Sequence, residues 1–574
     1  MNGMNNTDKK REKPLIQAGP MLNVYPDSMG KNLGDIVKFL KDPSLKDVFQ
    51  SVYVLPSIFN TDLDRGFSVI DYNLNEAYAS EQDIKDLQEM GMNFKFDFIM
   101  NHASVLSEQF QDILKNGENS FYKNFFINWN KFWEGHGQMT EEGYIQPEEE
   151  LIRNMFFRKP GLPILKVRMP DGKEVPYWNT FYQEVRYKNV DVQEIMEAVK
   201  LQYTTAERVA DLVNHALSEG KKPVEIEFGD LKKYQKEVVN LLESNRRYLG
   251  QMDLNIKSPL VWLYYEETIK KLAGYGAHIV RLDAFAYAPK EPGERNFLNE
   301  PGTWELLERI REIADRYDVT LLPEIHSEYR EKIHEKIAEK GYMTYDFYLP
   351  GLIIDAFERK TNEAILNWIH DIQEKNIKTV NMLGCHDGIP LLDLKGLLSE
   401  EQIQKLIDIV VSRGGYVKDL HGKTNLYYQV NATYYSALGE DDDKLLLARA
   451  IQMFMPGKPQ VWYLDLFAGK NDHDAVVKAG PNGHKEINRT NLSLEQMQED
   501  SKKQIVQKQL SLLTFRNTFP AFGFDAKLTV MESEPYILKL KWENKGYSAV
   551  LEANLKESSF TISAKDDKGI SREM

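Results

Sequence analysis

Cysteine is nearly absent: one residue in 574, Cys385, which rules out an intramolecular disulfide and a cysteine-based zinc cluster. Long hydrophobic runs are missing too, and no stretch reads as a helix able to cross a bilayer. The opening MNGMNNTDKKREKP carries charge with no apolar segment behind it, which does not match a secretory signal. Residues 1–20 are expected to be a disordered lead-in, and the expected location is cytoplasmic. Basic residues are outnumbered, 72 Lys and Arg against 87 Asp and Glu, for a net charge of −15. A nucleic-acid binder needs a basic face, so that class is disfavoured. What is present is core material: 42% hydrophobic residues, 11% aromatic and eight Trp, enough for a large barrel with additions.

Strand-like runs alternate with amphipathic helices, the pattern of a parallel barrel. Strands are expected at 51–55, 94–100, 278–282, 319–322, 345–349, 379–383 and 460–464. A helix is expected over 304–317, where Leu306, Leu307, Ile310 and Ile313 recur at helical steps. The expected fold is a TIM (β/α)8 barrel built from 21–103, 251–387 and 439–520. Residues 104–187, aromatic and turn-rich, read as an insertion over the barrel mouth, and 388–438 as a second excursion. Residues 188–250 read as a helical insertion, with a capping box at Thr204 to Glu207 and a stop at Gly220. Three roles stay open for it: covering the mouth, dimerisation, or nothing catalytic. From 521 to 574 the pattern alternates in strand fashion, a small C-terminal β domain.

Four segments end strands with polar groups: FDFIMNH, VRLDAF, LLPEIH and LGCHDG. Unpaired polar groups are costly beside apolar runs, and gathering them at the C-terminal ends of several strands is how a TIM-barrel enzyme builds its active site. Asp283 and Glu324 supply two carboxylates, the minimum for glycoside chemistry; in a retaining enzyme such a pair stands roughly 5–5.5 Å apart. Arg281 precedes Asp283 by two residues, so both point to one face of a strand, and the guanidinium is expected to keep Asp283 ionised. Glu324 follows Leu321, Leu322 and Pro323, whose apolar character is expected to raise its pKa. The plainer alternative is a structural Arg281–Asp283 ion pair and a surface Glu324. Cys385 reads better as a small buried side chain than as a nucleophile.

Together with GKND and EINR, these segments resemble the α-amylase superfamily, and within it the sucrose phosphorylase branch, from about Met21 to the C-terminus apart from the helical block. The resemblance implies that Asp283 is the nucleophile, Glu324 the acid/base and Asp387 a third carboxylate holding glucosyl hydroxyls, with Asp97 structural. It further implies that His102 and His386 donate hydrogen bonds to the sugar. Asp64, Phe67 and Arg489 would close the pocket floor, with Gln251 and Arg281 also at the donor site. Phe67 as plain core, and Tyr287 either stacking on the leaving group or merely packing, stay open. A pocket closed on one side takes one glucosyl unit and excludes long glucans. No cofactor and no metal are implied, and no carboxylate-rich loop has calcium spacing.

A phosphorylase lets phosphate attack the glucosyl-enzyme, which calls for cationic donors at the mouth. The segments around Arg158 and Lys159, and from Lys418 through His421, Lys423, Tyr428 and Gln429, supply them; Lys159, Tyr428 and Gln429 fall at or near the roles the resemblance implies. The sucrose-specific pattern has an aspartate where this chain has Leu426, and Pro-Arg where this chain has Arg158-Lys159. Losing an acid and gaining bases suits a phosphorylated leaving group. The chain thus resembles sucrose 6-phosphate phosphorylases most, with sucrose, glucosylglycerol or glucosylglycerate as alternative donors. Other readings are a hydrolase or transglucosylase, a non-catalytic sugar-binding protein, or plain solvated charges at Arg158, Lys418, His421 and Lys423. The expected partners are a small sugar and inorganic phosphate; the oligomeric state is not legible.

Overall fold

Eight short strands form the barrel: β1 (Met21–Val24), β2 (Ser51–Val54), β3 (Asn93–Ile99), β4 (Ala277–Asp283), β5 (Thr320–Pro323), β6 (Thr344–Asp346), β7 (Thr379–Met382) and β8 (Lys458–Trp462). They are seen in a computed structural model that describes residues 16–158, 160–419, 427–480 and 483–573, without the side chains of residues 64, 418, 419, 427 and 428. Each strand pairs in parallel with its neighbours in sequence order, β8 returns beside β1, and the ring closes where β5 and β6 lie side by side. The (β/α)8 expectation holds.

Alternation along β3 shows why these residues make a barrel wall. Phe98 points outward onto Tyr265 of the helix Pro259–Gly274, while Lys95 and Asp97 point inward. Lys95 Nζ binds Gln460 on β8 at 2.7 Å and the Tyr345 hydroxyl on β6, so polar groups tie strands together across the barrel interior. Two expected strands are shorter than their apolar runs. Asp346 accepts from the backbone N–H groups of Tyr348 and Leu349, turning the chain into the helix Leu349–Arg359; Tyr463–Leu466 is likewise a helical turn. β1, absent from the expected strands, completes the ring.

Between β3 and β4 the chain makes a long excursion. Its loop-rich part packs Trp129, Trp133 and Trp178 into a cluster of their own. Strand Gln183–Arg186 pairs antiparallel with Arg247–Asp253, and Val192–Val199, Tyr203–Ser218 and Gln235–Ser244 form a helical lobe beyond that hairpin. The lobe has a separate core that includes Ile195, Val209, Val213, Val238 and Leu242. The capping box expected at Thr204 is not formed: the helix begins at Tyr203, which leaves Thr204 inside the first turn, and Gln202 stands at the cap. Gly220 does terminate it, with φ +81° and its N–H on the Leu217 carbonyl. After β7, helix Glu400–Ser412 and the hairpin of Tyr416–Asp419 with Tyr427–Asn431 form the second excursion. A five-stranded antiparallel sheet between Lys527 and Glu573 ends the chain, docked by the Trp542 indole N–H on the Phe454 carbonyl at 2.8 Å. No described helix is long and apolar enough to cross a membrane.

Because the lobe has its own core, Leu242→Ala is expected to destabilise it locally, by about 2–5 kcal/mol. Hydrogen exchange should accelerate across 192–244 while β4 and β5 stay protected; uniform acceleration would show one cooperative core instead.

Candidate active site

The C-terminal ends of β3, β4 and β5 converge on one guanidinium. Arg281, 3% exposed, binds Asp97 at 2.5 Å, Asp283 at 2.8 Å and Glu324 at 2.7 Å. Tyr53 on β2 donates its hydroxyl to Asp97 at 2.8 Å, so Asp97 is a buried support. Ala284, directly after Asp283, sits at φ 53°, a strained conformation that turns the strand sharply into Phe285–Tyr287.

These groups face a cavity of about 340 Å³, at the small end of ligand pockets. Asp283, Glu324 and Asp387 all line it, as do Phe67, His102, Gln251, His386, Arg158 and Tyr287. The floor is Phe67, its ring stacked on His386 at 5.1 Å. Its carbonyl accepts from His102 Nε2 at 3.0 Å and from Gln251 Nε2 at 3.1 Å. Gly66 makes this possible: at φ +114° a Cβ there would stand 2.2 Å from the Ser57 nitrogen.

Both histidines reach the cavity. Burial lowers the His102 pKa to about 4 and that of His386 as well, so both rings are neutral with one N–H each. The His102 N–H is taken by the Phe67 carbonyl and that of His386 by Asp387 at 3.2 Å. In the ligand-free cavity both N–H groups rest on protein acceptors. Arg489 stands behind the wall, donating to the His386 carbonyl at 2.9 Å with Asp387 3.9 Å away. Lys485, which sequence reading missed, reaches the cavity and binds Asp387 at 2.6 Å. Burial works against the charged Asp387, but the His386 N–H and the charges of Lys485 and Arg489 outweigh it and hold the carboxyl well below its usual range.

Asp283 and Glu324 are buried side by side and titrate as one pair. Burial pushes Asp283 up to about 8, against the pull of Arg281, with Glu324, Asp97 and Asp387 adding to the rise. Glu324 is also buried, yet Arg281 and His326 hold it at about 2. Leu321, Leu322 and Pro323 are neighbours in sequence only; the carboxylate itself meets Arg281 and, at 3.4 Å, His326. The pair therefore shares one proton. Burial pushes the Cys385 thiol up to about 12, so it stays protonated, with its Sγ on the Gly388 carbonyl.

On the leaving-group side Arg158 lies over Phe181 at 4.9 Å and donates to the Tyr287 hydroxyl at 3.2 Å; Tyr287 also packs on Phe297 at 4.6 Å. Phe156, Phe181, Phe297 and His326 complete this wall without having been singled out as site residues from sequence. Gln429 is buried in the strand Tyr427–Asn431 and is not part of the wall formed by described residues. Lys159, His421 and Lys423, and the side chains of Asp64, Lys418 and Tyr428, lie outside the described residues.

No protein-family model matches the chain. It is 47% identical to the sucrose 6(F)-phosphate phosphorylase of Ilumatobacter coccineus, over 95% of this chain and 96% of that protein. It is 31% identical to the sucrose phosphorylase of Streptococcus mutans, over 96% and 98%. The crystal structure of sucrose 6F-phosphate phosphorylase from Thermoanaerobacter thermosaccharolyticum superposes with a TM-score of 0.79 at 31% identity, covering 98% of both chains. The chain belongs to the sucrose phosphorylase family. It is an α-amylase-type enzyme of the phosphorylase and transferase kind, acting by double displacement with retention.

A family member of this type needs one proton on its carboxylate pair. Donor kcat/KM is therefore expected to fall as pH rises through about 8, where the pair loses that proton and nothing remains to protonate the leaving oxygen. A rate profile flat to pH 10 would mean that the pair is not the acid.

Proposed function

We propose that this enzyme transfers the glucosyl unit of sucrose 6-phosphate to inorganic phosphate, giving α-glucose 1-phosphate and fructose 6-phosphate. Asp283 attacks the anomeric carbon as the ionised member of the pair, while Glu324 gives the pair's one proton to the departing oxygen. Phosphate then attacks from the vacated side, its proton returns to Glu324, and two inversions keep the α-configuration. Asp387, held ionised by Lys485, receives glucosyl hydroxyls, and the Phe67–His386 floor limits the cavity to one sugar unit.

The observation that carries the choice of leaving group is Arg158. Its guanidinium is fixed between Phe181 and Tyr287 on the cavity wall, where a fructosyl phosphate can meet a charge-assisted donor. The relative that shares 47% identity bears the same activity in its name. A phosphorylated disaccharide is a dianion that does not cross a bilayer unaided, so the cytoplasm is the compartment this reading gives.

Phosphorolysis of sucrose 6-phosphate, sucrose, glucosylglycerol and glucosylglycerate, followed by α-glucose 1-phosphate release, tests the reading directly. Sucrose 6-phosphate is expected to have the highest kcat/KM; a preference for another donor overturns the assignment, and phosphate-independent release of glucose makes the enzyme a hydrolase. Asp283→Asn should cost roughly three or more orders of magnitude in kcat, with donor binding retained by calorimetry. Arg158→Ala should lower kcat/KM for sucrose 6-phosphate about ten- to a hundredfold more than for sucrose. Equal losses with both donors would assign Arg158 to the attacking phosphate.

A further inference from the structure

Glu324 does not stand alone at the end of β5. Two donors meet the same oxygen, Oε1: Arg281 Nη2 at 2.7 Å and His326 Nε2 at 3.4 Å. The opposite nitrogen of His326, Nδ1, lies 2.9 Å from Asp393 Oδ2. The imidazole lies flat against Phe347, with centroids 3.9 Å apart, which fixes its plane. Asp393 sits on the single turn Leu392–Leu394 after β7, 4% exposed, and among the described residues His326 is its one ion-pair partner. A buried carboxylate whose only such partner is a histidine serves that histidine.

We propose that Asp393 and His326 are positioning residues for Glu324: they aim a fixed N–H at Oε1 and so leave Oε2 as the oxygen that exchanges the proton with the leaving group. This rests on the reading of Glu324 as acid/base. Burial works against a charged His326, but Asp393 and Glu324 outweigh it and raise its pKa to about 10, so the ring is an imidazolium at neutral pH. The other charges and titratable groups facing Glu324 are Arg281, Asp283 and Asp387, with Lys95, Tyr345 and Cys385 from the barrel interior; Glu328 faces Asp393. The chain Asp393–His326–Glu324 thus links the loop after β7 to the acid that releases the leaving group.

In the first half-reaction the C1–O bond breaks, its electron pair goes to the leaving oxygen, and that oxygen takes the Oε2 proton while Asp283 bonds to C1. With α-glucosyl fluoride the C1–F bond breaks instead and fluoride departs as the anion, needing no proton from Glu324. The two donors therefore separate help to the acid from help to the fold or to the sugar.

The experiment compares Asp393→Asn and His326→Gln with wild type on sucrose 6-phosphate and on α-glucosyl fluoride, at the same phosphate concentration. Asp393→Asn keeps the hydrogen bond and removes the charge; His326→Gln can still donate one hydrogen bond but carries no charge. Each is expected to lower kcat/KM for sucrose 6-phosphate about 10- to 100-fold, a part of what a general acid contributes, and that for the fluoride by less than about threefold. With the imidazolium gone the carboxylate pair holds its proton more tightly, so the alkaline limb of the pH profile should move to higher pH. Equal losses on both donors with an unmoved limb overturn the inference. Glu324→Gln is the control: if it spares the fluoride and the other two variants do not, only the inference fails; if it does not spare the fluoride, the acid/base reading fails with it.

Discussion

The buried guanidinium of Arg281 is the group on which the rest of this site depends. A charge that is 97% removed from solvent persists only with close partners, and Arg281 has three, one from each of three adjacent strands. The parallel register places Arg281 opposite Asp97 on one side and Leu322, two residues before Glu324, on the other. A one-residue slip would turn each of these side chains to the other face of the sheet. Barrel register and site electrostatics are therefore one constraint. A planar fork with five N–H donors can serve several oxygens at once, which a lysine ammonium on a flexible stem does with less geometric definition.

One guanidinium does not neutralise three carboxylates, and the shortfall organises the chemistry. Glu324 gains a second cation in His326 and Asp97 a hydroxyl donor in Tyr53, while Asp283 gains neither, so the Asp283–Glu324 pair keeps one proton in the empty cavity.

What the chain reveals without its structure divides along a physical line. The barrel was legible because each strand carries an apolar run that stops at polar residues, and the three carboxylates were legible for the same reason. β1, with MLNV after Gly-Pro, escaped because four residues buried on both sides show no alternation. The partners of Glu324 were not legible because Leu321, Leu322 and Pro323 are near it along the chain, whereas Arg281 and His326 are near it in space. Phe156, Phe181 and Phe297 come from loops and Lys485 from the short turn His484–Asn488, none with a period to read, and only the closed fold brings them to one cavity. His326 stood within a motif already noted for its polar end, but nothing in the sequence joined it to Asp393, 67 positions away.

The long excursion between β3 and β4 raises the question of how so much chain can be added beside a small cavity without loosening it. The answer lies in the hairpin of Gln183–Arg186 and Arg247–Asp253. Gly250 pairs with Gln183, and its φ of +115° admits no side chain, since a Cβ would stand 2.4 Å from the Tyr182 carbonyl. The Gly250 N–H binds Asp62 at 3.1 Å, ahead of the floor, and Gln251 ties Tyr182 to the Phe67 carbonyl. The floor is thus clamped at the root of the excursion, before the helical lobe begins. Beyond residue 187 the lobe rests on its own core, so its size and packing can vary while the hairpin keeps Phe67 and His102 in place.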